Sequence, residues 1–151
     1  MTASPKDLDV LLIEDDEGDY LITRALLNKA QTLECELDWK SSYEAGREAI
    51  LTEAYDVCLV DYRLGARNGL DLLEEINEHG GVQAPVILLT GQGDLEVDLH
   101  AMEAGAADYL AKDQIDAPLL ERSIRYAVER KEAEQRIREQ AQLLDKARDA
   151  I

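Results

Sequence analysis

The sequence contains no run approaching the roughly 18 consecutive apolar residues that a membrane-spanning helix requires, and its opening residues, MTASPKD, lack the basic start and apolar stretch of a signal peptide. Both absences point to a cytoplasmic chain. Cysteine is scarce: Cys35 and Cys58 fall in strand-like segments without metal-ligand spacing. They read as small buried hydrophobes in a reducing compartment, not as a disulfide or redox pair. The two histidines, His79 and His100, lie far apart on helix-like segments without ligand-type neighbours, and read as solvent-facing side chains. Positive charge is also in short supply, since 33 Asp and Glu against 16 Lys and Arg leave a net charge of -17. Residues 1–118 carry 26 acidic and 8 basic side chains (-18), whereas residues 119–151 carry 7 and 8 (+1). An acidic body of this kind repels nucleic acid and anionic lipid, and the near-neutral tail is no basic arm, so direct contact with either is not expected.

What is present is a chain of 151 residues, 46% hydrophobic, enough to build the core of one domain. Apolar runs alternate with helix-period segments. VLLI (10–13) reads as a strand, followed by a helix over 18–30 with Leu21, Ile22, Ala25, Leu26 and Leu27 facing inward. LECELDW (33–39) alternates, as a strand near a sheet edge does, and Ser41 with Glu44 reads as a capping box opening the next helix. VCLV (57–60) leads past Gly65 into a helix from about Asn68, stopped by Gly80-Gly81. VILLT (86–90), a helix over about 95–104, a short strand at 108–110 and a last helix from Asp116 and Pro118 complete the pattern. Five strands alternating with five helices, the central three strands almost wholly Val, Ile and Leu, predict an α/β fold. It is a doubly wound, five-stranded parallel sheet covered by helices on both faces. Such sheets bind ligands at the carboxyl ends of their strands.

Those ends carry the chemistry. The first strand runs into Glu14-Asp15, the third ends on Asp61, the fourth on Thr90, and Lys112 lies just beyond the fifth. Three carboxylates at one edge repel by roughly 4 kcal/mol per pair, taking an effective dielectric of about 20 and a separation of about 4 Å. A divalent cation offsets that, and oxygen-only ligands favour Mg²⁺ or Mn²⁺ over zinc. Carboxylates, a hydroxyl and an ammonium around a hard metal suit phosphoryl transfer, with Asp61 as the nucleophile. Taken singly, Asp61 is an ordinary turn carboxylate, Thr90 a strand-end hydroxyl, Lys112 a solvated charge and Tyr109 a buried aromatic. Their joint occurrence at the right strand ends carries the functional reading. The stretch DDEGD (15–19) is not a calcium loop, because the sixth place holds Tyr20 and the twelfth Leu26. GQGD (91–94) lacks dinucleotide spacing and reads as a flexible loop.

LLIEDDEGD, CLVDYRLGARNGLDLL, VILLTGQGD and AMEAGAADYLAKD together resemble the receiver domain of two-component response regulators, over about residues 8–128. The resemblance implies a flavodoxin-like sheet of order 2-1-3-4-5 and a phosphoryl group accepted on Asp61 from a histidine kinase or phosphotransfer protein. It also implies a metal held by Glu14, Asp15, Asp61 and the backbone carbonyl of Arg63. Thr90 and Lys112 contact the phosphoryl group, and Tyr109 changes rotamer with Thr90, signalling to the face formed by the fourth helix, fifth strand and fifth helix. Such a domain is a phosphoacceptor, not an enzyme acting on an external substrate. EDD leaves two possible acidic pairs; counted from Ile13 the pair is Glu14-Asp15, with Asp16 starting the helix. Lys112 is followed by Asp113 where the family commonly has proline, and Arg63 and Gln92 border the phosphoryl group at variable positions. The alternative from another class is a metal-dependent phosphohydrolase with an aspartyl-phosphate intermediate. That chemistry normally places an acid-base carboxylate two residues after the nucleophile, where this chain has Arg63.

Beyond Pro118 there is neither glycine nor proline, which predicts one extended C-terminal helix of about 30 residues, about 45 Å long. Leu119, Leu120, Ile124, Ala127 and Val128 suit docking on the domain. Beyond them Ile137, Leu144 and Ile151 recur every seven residues with Ala133 and Ala147 between, a thin coiled-coil seam that also includes Arg130 and Gln140. The expectation is a receiver domain over 1–128 and a helical extension over 129–151 that pairs two chains and leads toward an output domain absent from this sequence.

Overall fold

A computed structural model describes residues 6–80, 84–91 and 97–149. Its elements are β1 (Lys6–Ile13), α1 (Glu17–Asn28), β2 (Leu33–Lys40), α2 (Tyr43–Thr52), β3 (Val57–Asp61), β4 (Arg63–Leu64), β5 (Arg67–Asn68), α3 (Gly69–Glu78), β6 (Val86–Thr90), α4 (Val97–Glu103), β7 (Asp108–Ala111) and α5 (Ala117–Asp149). The main sheet is five-stranded and parallel, in the order β2-β1-β3-β6-β7. This is the doubly wound order 2-1-3-4-5 expected above, with β6 and β7 as the fourth and fifth strands.

Alternation along each strand divides the core between the two faces. Leu11, Ile13, Cys58, Val60 and Leu88 point toward α2, α3 and α4, where Ile50, Leu72, Ile76 and Ala101 meet them. Val10, Leu12, Leu59, Ile87 and Leu89 point toward α1 and α5, against Leu27, Leu120 and Ile124. β3 and β6 are buried throughout, which explains their unbroken apolar sequences. β2 lies at the edge and keeps one half-wet face. Both thiols are free, and burial pushes that of Cys58 up to about 12 and that of Cys35 up to about 11, as expected of inert packing residues.

Several details depart from the sequence reading. α1 is rotated from the expected face: Leu21, Ile22 and Ala25 are exposed, while Thr23 and Leu27 are buried and Tyr20 and Leu26 partly so. The stripe through Tyr20, Thr23, Leu27 and Ala30 follows the helical period and accepts a threonine that hydropathy alone assigns outward. α2 is capped by Ser42, whose hydroxyl accepts from the Ala45 N–H at 3.1 Å, one residue later than the Ser41 box expected. A two-residue antiparallel hairpin, β4–β5, follows β3 and is too short for periodicity to reveal; its turn uses Gly65 at φ +66, a region most side chains avoid. Residues 95–96 of the expected fourth helix, Gly81 of the expected helix stop, and Gln92 with most of GQGD lie outside the described residues.

Other boundaries agree with the reading. Asp16 caps α1, accepting from the Gly18 N–H at 2.8 Å, and Asn68 with Asp71 forms a reciprocal capping box on α3. α5 is one helix of 33 residues, about 50 Å long. Its buried side chains are Leu120, Ser123, Ile124, Ala127 and Val128, with Leu119 half-buried; Ile137, Leu143 and Leu144 are about two-thirds exposed. Among the described residues no helix is long and apolar enough to cross a membrane.

Candidate functional site

The strand ends converge as the alternation predicts. Glu14 follows the last residue of β1 and is fully buried, its N–H donating to the Lys40 carbonyl at 3.0 Å to extend the β1–β2 ladder by one step. Trp39 on β2 donates its indole N–H to the Glu14 carbonyl at 2.7 Å and stacks on Tyr20 of α1, ring centroids 4.0 Å apart. Asp61, the last residue of β3, is also buried. Asp15 is exposed, and one of its carboxylate oxygens accepts from the Gly65 N–H of the hairpin at 3.2 Å. One carboxylate oxygen from each of Glu14, Asp15 and Asp61 lies within 4.8 Å of the others. Three oxygen donors at that spacing, two buried and one facing water, fit a hard divalent cation that keeps part of its hydration shell.

Lys112, just past β7, enters this cluster. Its Nζ lies 2.7 Å from Glu14 Oε1, 2.8 Å from Asp19 Oδ2 and 3.1 Å from Asp61 Oδ2. Its backbone N–H donates to the Thr90 carbonyl at 2.7 Å, and the following turn, which contains Asp113, closes through the Gln114 N–H to the Ala111 carbonyl at 3.0 Å. The electrostatics are tightly coupled. Burial pushes the Glu14 carboxyl up to about 8 and neighbouring Asp61 adds to the rise, while Lys112 opposes it. Burial works against the Lys112 ammonium, yet Asp19 and Glu14 outweigh it and hold that group above the ordinary lysine range.

Thr90 ends β6 and is buried; its hydroxyl donates to the Leu110 carbonyl on β7 at 3.4 Å, beside Tyr109, which is exposed. Arg63 lies on β4, two residues beyond Asp61, with an exposed side chain. Asp16 stands apart as the α1 cap, so the acid pair at the cluster is Glu14-Asp15. The structure thus gathers Glu14, Asp15, Asp61 and Lys112, puts Thr90 one hydrogen bond away along the backbone, and leaves Tyr109 exposed on β7. The sequence reading missed Asp19 as a partner of Lys112; its place in the first turn of α1, a helix anchored directly behind the acid pair, was the available signal. A groove of about 310 Å³ lined by Asn77, Pro85, Met102 and Arg130 lies at the opposite end of β6 and shares no residue with the cluster.

Sheet order, two-sided helical cover and a lysine-bridged acid cluster at the strand ends define a flavodoxin-like α/β domain with its site at the carboxyl edge. Residues 10–125 match the family described as the response regulator receiver domain, and the chain belongs to that family. It is 34% identical over 103 residues to the transcriptional regulatory protein QseB of Escherichia coli O157:H7, covering 68% of this chain and 45% of that protein. It is 38% identical over 103 residues to the response regulator protein PilR of Pseudomonas aeruginosa, covering 67% and 22%. The chain therefore matches less than half the length of these relatives. A receiver domain structure from Clostridium thermocellum superposes with a TM-score of 0.72 at 31% identity, over 83% of this chain and 97% of that one. A chain in which a yeast Spc42 trimeric coiled-coil segment is fused to another solved structure superposes with a TM-score of 0.76, over 98% of this chain and 96% of that one. At 21% identity it shares the fold alone.

Proposed function

We propose that the protein is a phosphorylation-dependent signalling receiver in which Asp61 accepts a phosphoryl group from a histidine kinase or phosphotransfer protein. The observation that carries this is the Lys112 ammonium set between Glu14 and Asp61 while Glu14, Asp15 and Asp61 converge on one point. Those three carboxylates, with the Arg63 carbonyl, would hold Mg²⁺ or Mn²⁺, which would supply charge neutralisation for the incoming phosphoryl oxygens. Asp61 attacks phosphorus, the P–N bond of a phosphohistidine breaks as the P–O bond forms, and the imidazole leaves with the bonding pair. Lys112 pairs with one phosphoryl oxygen and the Thr90 hydroxyl turns to another, giving up its long bond to Leu110. Tyr109, two strand positions from Ala111, follows into the space Thr90 vacates. The change is then read on α4, β7 and α5.

Residues 1–128 act as the receiver and 129–151 as a helical extension that pairs two chains; the loss of burial after Val128 and the exposed Ile137 and Leu144 support that division. The role is that of a cytoplasmic phosphoacceptor and not of an enzyme with an external substrate. The -17 charge argues against this segment itself holding DNA or membrane, whatever its regulatory relatives do. The phosphohydrolase reading is not favoured, because Arg63 stands where an acid-base carboxylate is needed. The test is labelling by a small phosphodonor with Mg²⁺. The parent forms an acid-stable, base-labile phosphoprotein, and Asp61→Asn does not; full labelling of Asp61→Asn rejects the assignment.

A further inference from the structure

Lys112 has three N–H donors, and three carboxylates lie against them: Glu14, Asp19 and Asp61. A phosphoryl group on Asp61 inherits the 3.1 Å contact and draws the ammonium toward its outer oxygens, which pulls against the shorter bonds to Glu14 and Asp19. Glu14 is fully buried, so no water can replace its bond to the ammonium. The Asp19 side chain is about one-third exposed (37%) and sits in the first turn of α1, where water replaces a lost bond at little cost. The charge balance points the same way. A divalent cation and Lys112 match the three cluster carboxylates, and Asp19 adds a fourth negative charge before any phosphoryl group arrives.

We propose that Asp19 is a positioning residue that competes with phosphorylated Asp61 for the Lys112 ammonium and so acts as a built-in brake on phosphorylation. This rests on the receiver reading above and deepens it. Asp19 belongs to neither the metal cluster nor the acceptor; it sets how much of the lysine is available to the anion.

The experiment is beryllium fluoride binding to the full chain at saturating Mg²⁺, read by Trp39 fluorescence, for the parent, Asp19→Asn, Asp19→Glu and Asp61→Asn. Asp19→Asn binds the anion about fivefold more tightly than the parent, while its affinity for Mg²⁺ alone is unchanged. Asp19→Glu restores the parent value, since it returns the charge on a longer arm. Equal or weaker binding by Asp19→Asn overturns the brake, as does an equal gain in Asp19→Glu, which traces the effect to the start of α1 and not to charge. A matching gain in Mg²⁺ affinity overturns it too, because the site as a whole has then changed. Anion binding by Asp61→Asn at the parent level instead rejects the receiver reading itself, so the two failures are distinguishable.

Discussion

Trp39 donates its indole N–H to the backbone carbonyl of Glu14 at 2.7 Å, so the protein's one tryptophan rests on the residue that carries a cluster carboxylate. Its ring is also stacked on Tyr20, which fixes it in one environment. A cation bound at Glu14, Asp15 and Asp61 changes the field at that ring. Addition of Mg²⁺ is expected to give a saturable change in Trp39 fluorescence. Asp15→Asn weakens it about tenfold or more, and Asp16→Asn leaves it within about twofold. A comparable weakening in Asp16→Asn reassigns the acid pair to Asp15-Asp16.

Gly69 makes a second link between helix and site. A Cβ built at Gly69 meets Leu88 Cδ2 at 2.8 Å and the Asp61 carbonyl oxygen at 3.0 Å, so α3 starts in contact with the backbone of the acceptor. The Gly69 N–H also donates to the Tyr62 carbonyl at 2.8 Å, one residue past Asp61. Gly69→Ala is expected to cost about 1–3 kcal/mol in denaturant unfolding. It should also slow phosphodonor labelling of Asp61 at temperatures where the variant is fully folded. A variant of parental stability and labelling rate shows that α3 can shift to accommodate the methyl group.

Much of this architecture is legible in the amino-acid sequence, for reasons tied to particular residues. VCLV and VILLT are apolar without alternation because β3 and β6 are buried on both faces, and the polar residues that end them stand out for the same reason. Parallel strands carry their ends to one edge, which makes Glu14, Asp15, Asp61, Thr90 and Lys112 neighbours despite separations of up to 98 positions. Asp19 was not legible in this way, because a helix residue reaches the site only at one azimuth. The azimuth of α1 is set by Thr23 packing inward while Leu21 and Ile22 stay wet. The β4–β5 hairpin escapes because two-residue strands have no period, and the Ser42 cap because Ser41 and Ser42 are equally good caps one residue apart.

Glu121 ties the start of α5 to the loop between α1 and β2. Its carboxylate accepts from the Gln31 N–H at 3.1 Å, the Thr32 N–H at 2.6 Å and the Thr32 hydroxyl, while Arg125 donates to that hydroxyl at 3.3 Å. The Thr32 side-chain bond and the backbone N–H donors hold the Glu121 carboxyl below its ordinary value of 4.5. A depressed carboxyl contributes stability above its unfolded pKa and loses it as pH falls through the folded one. Glu121→Gln is expected to lower stability by about 1 kcal/mol near neutral pH. The difference from the parent should narrow in acid, below about pH 4. Thermal melts across pH check this; a constant gap across the acid range removes the charge from the explanation.

The exposed run of α5 gives the last prediction. Ile137 and Leu144 lie seven residues apart and are each 67% exposed, on a helix whose last buried residue is Val128. An apolar repeat of seven on an otherwise polar helix is what a two-helix seam requires, and Arg130 and Gln140 on the same line keep that seam weak. A weak seam responds to small changes in the domain that carries it. Light scattering with Mg²⁺ is expected to show a mass rising toward twice 16.9 kDa when beryllium fluoride is added. Asp61→Asn should not respond, and Ile137→Asp with Leu144→Asp should remain monomeric throughout. A dimer of unchanged mass in all but the Ile137 and Leu144 variant means that pairing is constitutive and phosphorylation acts on helix geometry within the pair. A monomer under every condition rejects the seam and leaves α5 a solvated helix.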